Sequence, residues 1–258
     1  METKKNERWL FLFAHTDDDT LINGSMKKIL FNGGQVFPVW ILSGFSPKGI
    51  EIREAEANKA MDLLGVPKEN RFFLGGPAFF ILHLKYTFEK LRDIVDHIKP
   101  DKIMTPAFEG GHVDHDTTNF LAMKIAHDVK QKNPAVLLYE YPLYNGAGPA
   151  WRWWWNINVF PNESHSKDIL YNKLSNEDVD LKYKIMKIYK SQWMYMIPAR
   201  LASSRKRLTH VGEPYRIAPL DRDYSKRPHR GKLNSERWFN FWMGTSFEDF
   251  TKIISSSF

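Results

Sequence analysis

Two short stretches of this 258-residue chain bring histidine and carboxylate together. The first, His15 to Asp19, reads HTDDD; the second, Pro106 to Asp116, reads PAFEGGHVDHD and holds His112, Asp114 and His115. Two histidines and one carboxylate suit a borderline cation such as Zn²⁺, with a further position left for water. His15 and Asp18 lie three residues apart, so both side chains can turn toward one point, and His115 could be brought to that point from the second stretch. Asp17 stands beside Asp18 without being needed to complete the set, which makes it a natural base for the attacking water. His112 is available as a protonated donor to the oxyanion that forms when water attacks a carbonyl. Asp114 could hold His112 in the useful tautomer and raise its pKa. Together these residue types describe metal-assisted hydrolysis of an amide or ester.

Carboxylates after a strand commonly cap helices, and Asp17 to Asp19 alone would say little. The weight lies in the coincidence, because ligand-type residues follow an apolar run twice in one chain. The remaining histidines, His83, His97, His127, His165, His210 and His229, have no such company and read as ordinary core or surface residues.

The elements that must position the two clusters alternate. Trp9 to Ala14 are six consecutive apolar residues, the signature of a strand buried on both faces. A helix over Thr20–Asn32 stops at Gly33 and Gly34, and Gln35–Leu42 is a second strand, with Pro38 marking a strand end or bulge. Glu51–Leu64 is helical and ends at Gly65; Arg71–Leu74, Lys102–Thr105 and Val136–Tyr141 are strands, separated by helices at Tyr86–Ile98 and Thr117–Lys132. Such alternation predicts an α/β fold, a mostly parallel sheet flanked by helices. Both clusters then fall past the carboxyl ends of strands, where α/β folds place their ligands.

Beyond Tyr144 the alternation fades. Trp151 to Trp155 reads WRWWW, Leu181–Met194 reads as a helix, and the last sixty residues are basic and irregular, with an aromatic patch at Trp238 to Trp242. The Trp-dense segment is either a flap on the core, a platform for sugar rings or a membrane-interface contact. We expect one domain, with a core over about residues 8–195 and a C-terminal elaboration over about 196–258.

A formal net charge of +7 suggests attraction to anions, such as phosphorylated or nucleotide-linked small molecules, anionic lipid head groups or nucleic acid. No nucleic-acid module signature is visible, so no nucleic-acid partner is expected. The absence of cysteine excludes disulfides and thiolate ligands. The N-terminal METKKNER carries no export signal and the apolar run after it is too short to span a membrane, which leaves the cytoplasm as the default location.

AHTDDD at Ala14 to Asp19, paired with GGHVDH at Gly110 to His115, resembles the PIG-L/LmbE-like N-deacetylases. In that family the motifs usually read A/P-H-P-D-D-E and H-x-D-H. IREAEANKAMDLLGV at Ile52 to Val66 and YKSQ at Tyr189 to Gln192 extend the resemblance over about the first 195 residues. It implies a Rossmann-like fold and a zinc enzyme that removes acetyl groups from N-acetylglucosamine-type sugars. Zinc would be held by His15, Asp18 and His115, with Asp17 as base, His112 as acid and oxyanion stabiliser, Asp114 orienting His112, and Arg53 touching the polar substrate. Thr16 replaces the usual proline, Asp19 the usual glutamate, and LGGPAFF at Leu74 to Phe80 lacks an acidic residue that relatives place there. With Trp151 to Trp155 and the positive charge, the expected substrate is an N-acetylated amino sugar attached to something anionic or lipidic, such as a nucleotide-sugar or glycolipid intermediate. A homo-oligomer is compatible with this reading, and so are Fe²⁺, Co²⁺ or Mn²⁺ in place of zinc. The rivals are a metal-dependent hydrolase of a non-sugar acyl amide and a carbohydrate- or lipid-binding protein with a vestigial metal site.

Overall fold

The apolar run Trp9–Ala14 lies at the centre of the fold. It forms most of strand β1 (Arg8–His15), and its alternate side chains enter two separate cores. Leu10, Leu12 and Ala14 face one, and Trp9, Phe11 and Phe13 face the other. All six are essentially inaccessible to water. A strand that packs helices on both faces has no polar side, which is why the sequence shows no alternation there. The structure, a computed structural model, describes residues 2–76, 80–147, 156–161, 168–234, 236 and 246–258. The segment Trp151 to Trp155, the patch Trp238 to Trp242, His165 and residues 77–79 of LGGPAFF lie outside the described residues.

Around β1 stand α1 (Asn23–Phe31), β2 (Gln35–Leu42), α2 (Pro47–Leu64), β3 (Phe72–Phe73), α3 (Leu84–Ile98), β4 (Lys102–Pro106), α4 (Val113–Lys132) and β5 (Leu137–Tyr141). They are followed by β6 (Leu170–Asn172), α5 (Asn176–Met186), α6 (Trp193–Ala202), α7 (Arg205–His210), β7 (Glu213–Ile217) and α8 (Phe247–Ser257). The seven strands run in the order β3-β2-β1-β4-β5-β7-β6. The first five are mutually parallel, and β7 joins β5 antiparallel. Among the described residues no helix is long and apolar enough to cross a membrane.

Several boundaries differ from the sequence reading for local reasons. Helix α2 begins at Pro47 rather than Glu51, because the Ser46 side chain accepts from the Gly49 N–H and proline suits the first helical turn. It ends as expected at Gly65, whose φ of 83° is the left-handed cap that glycine adopts without steric cost. Pro38 is no strand end: it lies within β2 opposite Phe11, and β3 pairs only from Val39 onward, so no neighbouring strand needs its missing N–H on that side. The expected helix Leu181–Met194 is two helices, α5 and α6, parted by a 3-10 turn at Lys190–Gln192.

One buried ion pair binds the late elements to the early ones. Lys182 Nζ on α5 lies 2.7 Å from Glu213 Oε1 on β7, with both side chains fully buried. The same carboxylate accepts from the backbone N–H groups of Gly24 and Ser25 and from the Ser25 hydroxyl. It thereby caps α1 just after the first acidic cluster. Removing one member of such a pair leaves a stranded charge. Lys182→Met is therefore expected to cost about 3–5 kcal/mol in denaturant unfolding, and Lys182→Met with Glu213→Gln to recover part of that loss. A loss under about 1 kcal/mol for the single variant would show that the pair holds little.

Candidate active site

β1 and β4 are neighbours, and the strand order runs outward in opposite directions from them. A crevice opens outside the carboxyl ends of strands at such a switch point. His15 is the last residue of β1, and Asp17 and Asp18 follow directly. From the β4 side, α4 begins at Val113 with His112 as its N-cap, so Asp114 and His115 stand in its first turn rather than in the expected loop.

The two clusters meet. Asp18 Oδ2 accepts from the backbone N–H of His15 at 2.9 Å, and Asp18 Oδ1 lies 3.1 Å from His115 Nε2. Burial alone would push Asp18 up, but the imidazoles of His115 and His15 outweigh it and hold the carboxyl at about 2. His15, Asp18 and His115 offer ligand atoms within 4.8 Å of one another, and so do His15, His112 and Asp114. His115 Nδ1 and Asp114 Oδ1 are buried with no hydrogen-bond partner among the described residues. Two imidazoles, a carboxylate and unsatisfied buried donor atoms are what a divalent cation requires, so the residues fit such an ion.

The Asp114 carboxylate, expected on His112, is on His15 instead. Its Oδ2 is 3.0 Å from His15 Nε2 and 3.9 Å from His112 Nδ1, beyond hydrogen-bond range. The backbone N–H of Asp114 donates to His112 Nδ1 at 3.1 Å, so helix capping selects the tautomer of His112. The expected rise in the pKa of His112 is also reversed. Burial pushes it down to about 3, ahead of the opposing pull of Asp114. Its ring is therefore neutral, with the proton on Nε2.

Asp17 is raised, first by burial and then by neighbouring Asp18. Arg53, on α2, contacts it: Nη2 donates to Asp17 Oδ1 at 3.0 Å, and Nε donates to the Thr16 hydroxyl at the same distance. The threonine that stands where proline is usual thus anchors this arginine.

Residues 10–126 match the PIG-L family, described as GlcNAc-PI de-N-acetylase. Over that span the chain resembles the PIG-L family. No curated protein matches its sequence. Among solved structures, the conserved protein TT1542 from Thermus thermophilus superposes with a TM-score of 0.61 at 20% identity, covering 84% of this chain and 96% of that one. The N,N'-diacetylchitobiose deacetylase from Pyrococcus horikoshii gives 0.58 at 19% identity, covering 83% and 84%. The zinc-inhibited form of teicoplanin deacetylase Orf2 gives 0.57 at 15%, covering 82% and 98%. At such identities the likeness establishes the fold.

The chain also supports its site with residues that the motifs do not single out. Tyr189, in YKSQ, donates its hydroxyl to Asp19 Oδ1, and both residues are buried. Burial pushes the Asp19 carboxyl up to about 8. Glu109 Oε1 accepts from the N–H groups of Leu143 and Tyr144, and Asp116 Oδ1 accepts from those of Glu109 and Gly110. These two carboxylates clamp the loops on either side of the site. The clamp requires glycine at 111, where a Cβ would lie 1.9 Å from the Tyr144 carbonyl oxygen. It brings the Tyr144 ring edge-on to His115, with centroids 5.3 Å apart. The only sequence signal for Glu109 and Asp116 is the density of acids in PAFEGGHVDHD, and nothing local points to Tyr144.

Proposed function

We propose that this chain is a metal-dependent hydrolase of the PIG-L type that removes the N-acetyl group from an N-acetylglucosamine-type amino sugar or its conjugate. The observation that carries the reading is the meeting of His15, Asp18 and His115 at the carboxyl ends of β1 and β4, with Asp17 beside them. The family description, GlcNAc-PI de-N-acetylase, supports the reaction class.

In this reading His15, Asp18 and His115 hold the ion, zinc or another divalent metal. When bound, such an ion polarises the amide carbonyl and lowers the pKa of water to about 7. Asp17 takes the proton of the attacking water and returns it to the departing amine. His112 donates from Nε2–H to the substrate oxygen that gains charge, a role suited to its neutral ring and fixed tautomer. Asp114 orients His15 through the ring nitrogen it contacts, as carboxylates do for metal-ligating histidines. Arg53, anchored on Asp17 and Thr16, turns its remaining edge to the polar substrate. The basic character of the chain favours an anionic conjugate as substrate.

Acetate release from a panel of N-acetylglucosamine conjugates, with and without chelator, tests the reading. Chelator-sensitive release is expected, restored by adding metal back. Bound metal with no release from any sugar would transfer the site to another acyl amide. Release that is indifferent to chelator would remove the metal from the chemistry.

A further inference from the structure

From Leu181 to Gly212 the chain carries eight lysines and arginines and no aspartate or glutamate. Helix α6 lies within this stretch, and its outer surface is apolar. Trp193, Met194, Tyr195, Ile197 and Leu201 are between 53% and 71% exposed, while only Met196 and Ala199 are buried. That is half of a ten-residue helix made of large apolar side chains in water, far denser than scattered surface hydrophobics. A groove of about 400 Å³ runs along α6 against α5, with Lys187, Lys190 and Arg200 among its lining and no carboxylate. The Arg200 guanidinium rests 3.1 Å from the ring centroid of Tyr183, which fixes a positive charge beside the apolar face.

An apolar face that includes Trp and Tyr, bordered by Lys and Arg along a groove without acids, matches the requirements of the lipid–water interface. The aromatic and aliphatic side chains enter the headgroup boundary, and the long basic side chains reach anionic headgroups. A second copy of the same face would set like charge against like, which disfavours self-association there. We propose that α6 and its basic flanks dock on an anionic lipid surface. Tyr189 lines the same groove and bonds Asp19 of the first acidic cluster, so the docked face adjoins the candidate active site.

The test is cosedimentation with vesicles of phosphatidylcholine mixed with phosphatidylglycerol, against phosphatidylcholine alone, and needs no turnover. Binding to the anionic vesicles is expected to be at least about tenfold tighter and to weaken with salt. Met194→Ser, Ile197→Ser and Leu201→Ser combined should reduce it about tenfold or more, with thermal unfolding unchanged because those side chains already face water. Lys190→Glu with Arg200→Glu should abolish the preference for anionic lipid. Equal binding to neutral vesicles, no binding to either, or full binding by the triple serine variant would each overturn the proposal. So would a concentration-dependent dimer that the triple variant abolishes, since the face would then belong to a second copy.

Discussion

His115→Ala is expected to lose bound metal and turnover together. His115 is 2% exposed, its Nε2 is 3.1 Å from Asp18 Oδ1, and it is the only member of the proposed ligand set supplied from the β4 side. His15 and Asp18 remain in the variant, but two ligands from a single turn leave a divalent ion mostly to water. Metal analysis after gel filtration, beside chelator-treated wild type, reads the outcome. The variant should match the chelated protein in both activity and unfolding temperature. Full metal occupancy would show that the ion is held elsewhere, with the His15, His112 and Asp114 group the first alternative.

Asp17→Asn should separate the two losses, leaving metal near the wild-type level and reducing turnover roughly 100-fold or more, as expected for a positioned base. Asparagine keeps the size of the side chain and an oxygen that can still accept from Arg53 Nη2, so the anchor at 3.0 Å is retained. It cannot take a proton. A parallel loss of metal would make Asp17 a ligand, and unchanged turnover would remove it from the reaction. Comparing kcat with KM sharpens the result. Loss of a base falls on kcat, whereas a displaced Arg53 would also weaken substrate binding.

Arg53 and Asp114 show where motif reading reaches its limit. Motif position assigns Arg53 to the substrate; the structure shows it bonded to the base candidate itself, 36 residues away. Sequence proximity pairs Asp114 with His112, yet its carboxylate reaches His15, 99 residues distant. Once His112 caps α4, its Nδ1 is occupied by a backbone N–H. The first turn of the helix then carries the Asp114 side chain toward β1.

Local residue order by itself determined the five parallel strands and where the chemistry would gather, but not β6 and β7, which lie where the alternation had faded. Six apolar residues at Trp9–Ala14 can only be buried on both faces. The β-α alternation forces parallel strands, and parallel strands deliver His15, Asp18 and His115 to one edge. Gly65 stops its helix for a reason contained in its own backbone. Tertiary structure alone decided the partners: Tyr189 on Asp19, Glu109 across to Tyr144, Lys182 beside Glu213, and the break between α5 and α6. Periodicity states which face of an element is buried, but not which polar group waits on the other side. Those pairings span up to 170 residues and depend on how helices settle on the sheet, where an unpaired buried group is too costly to leave.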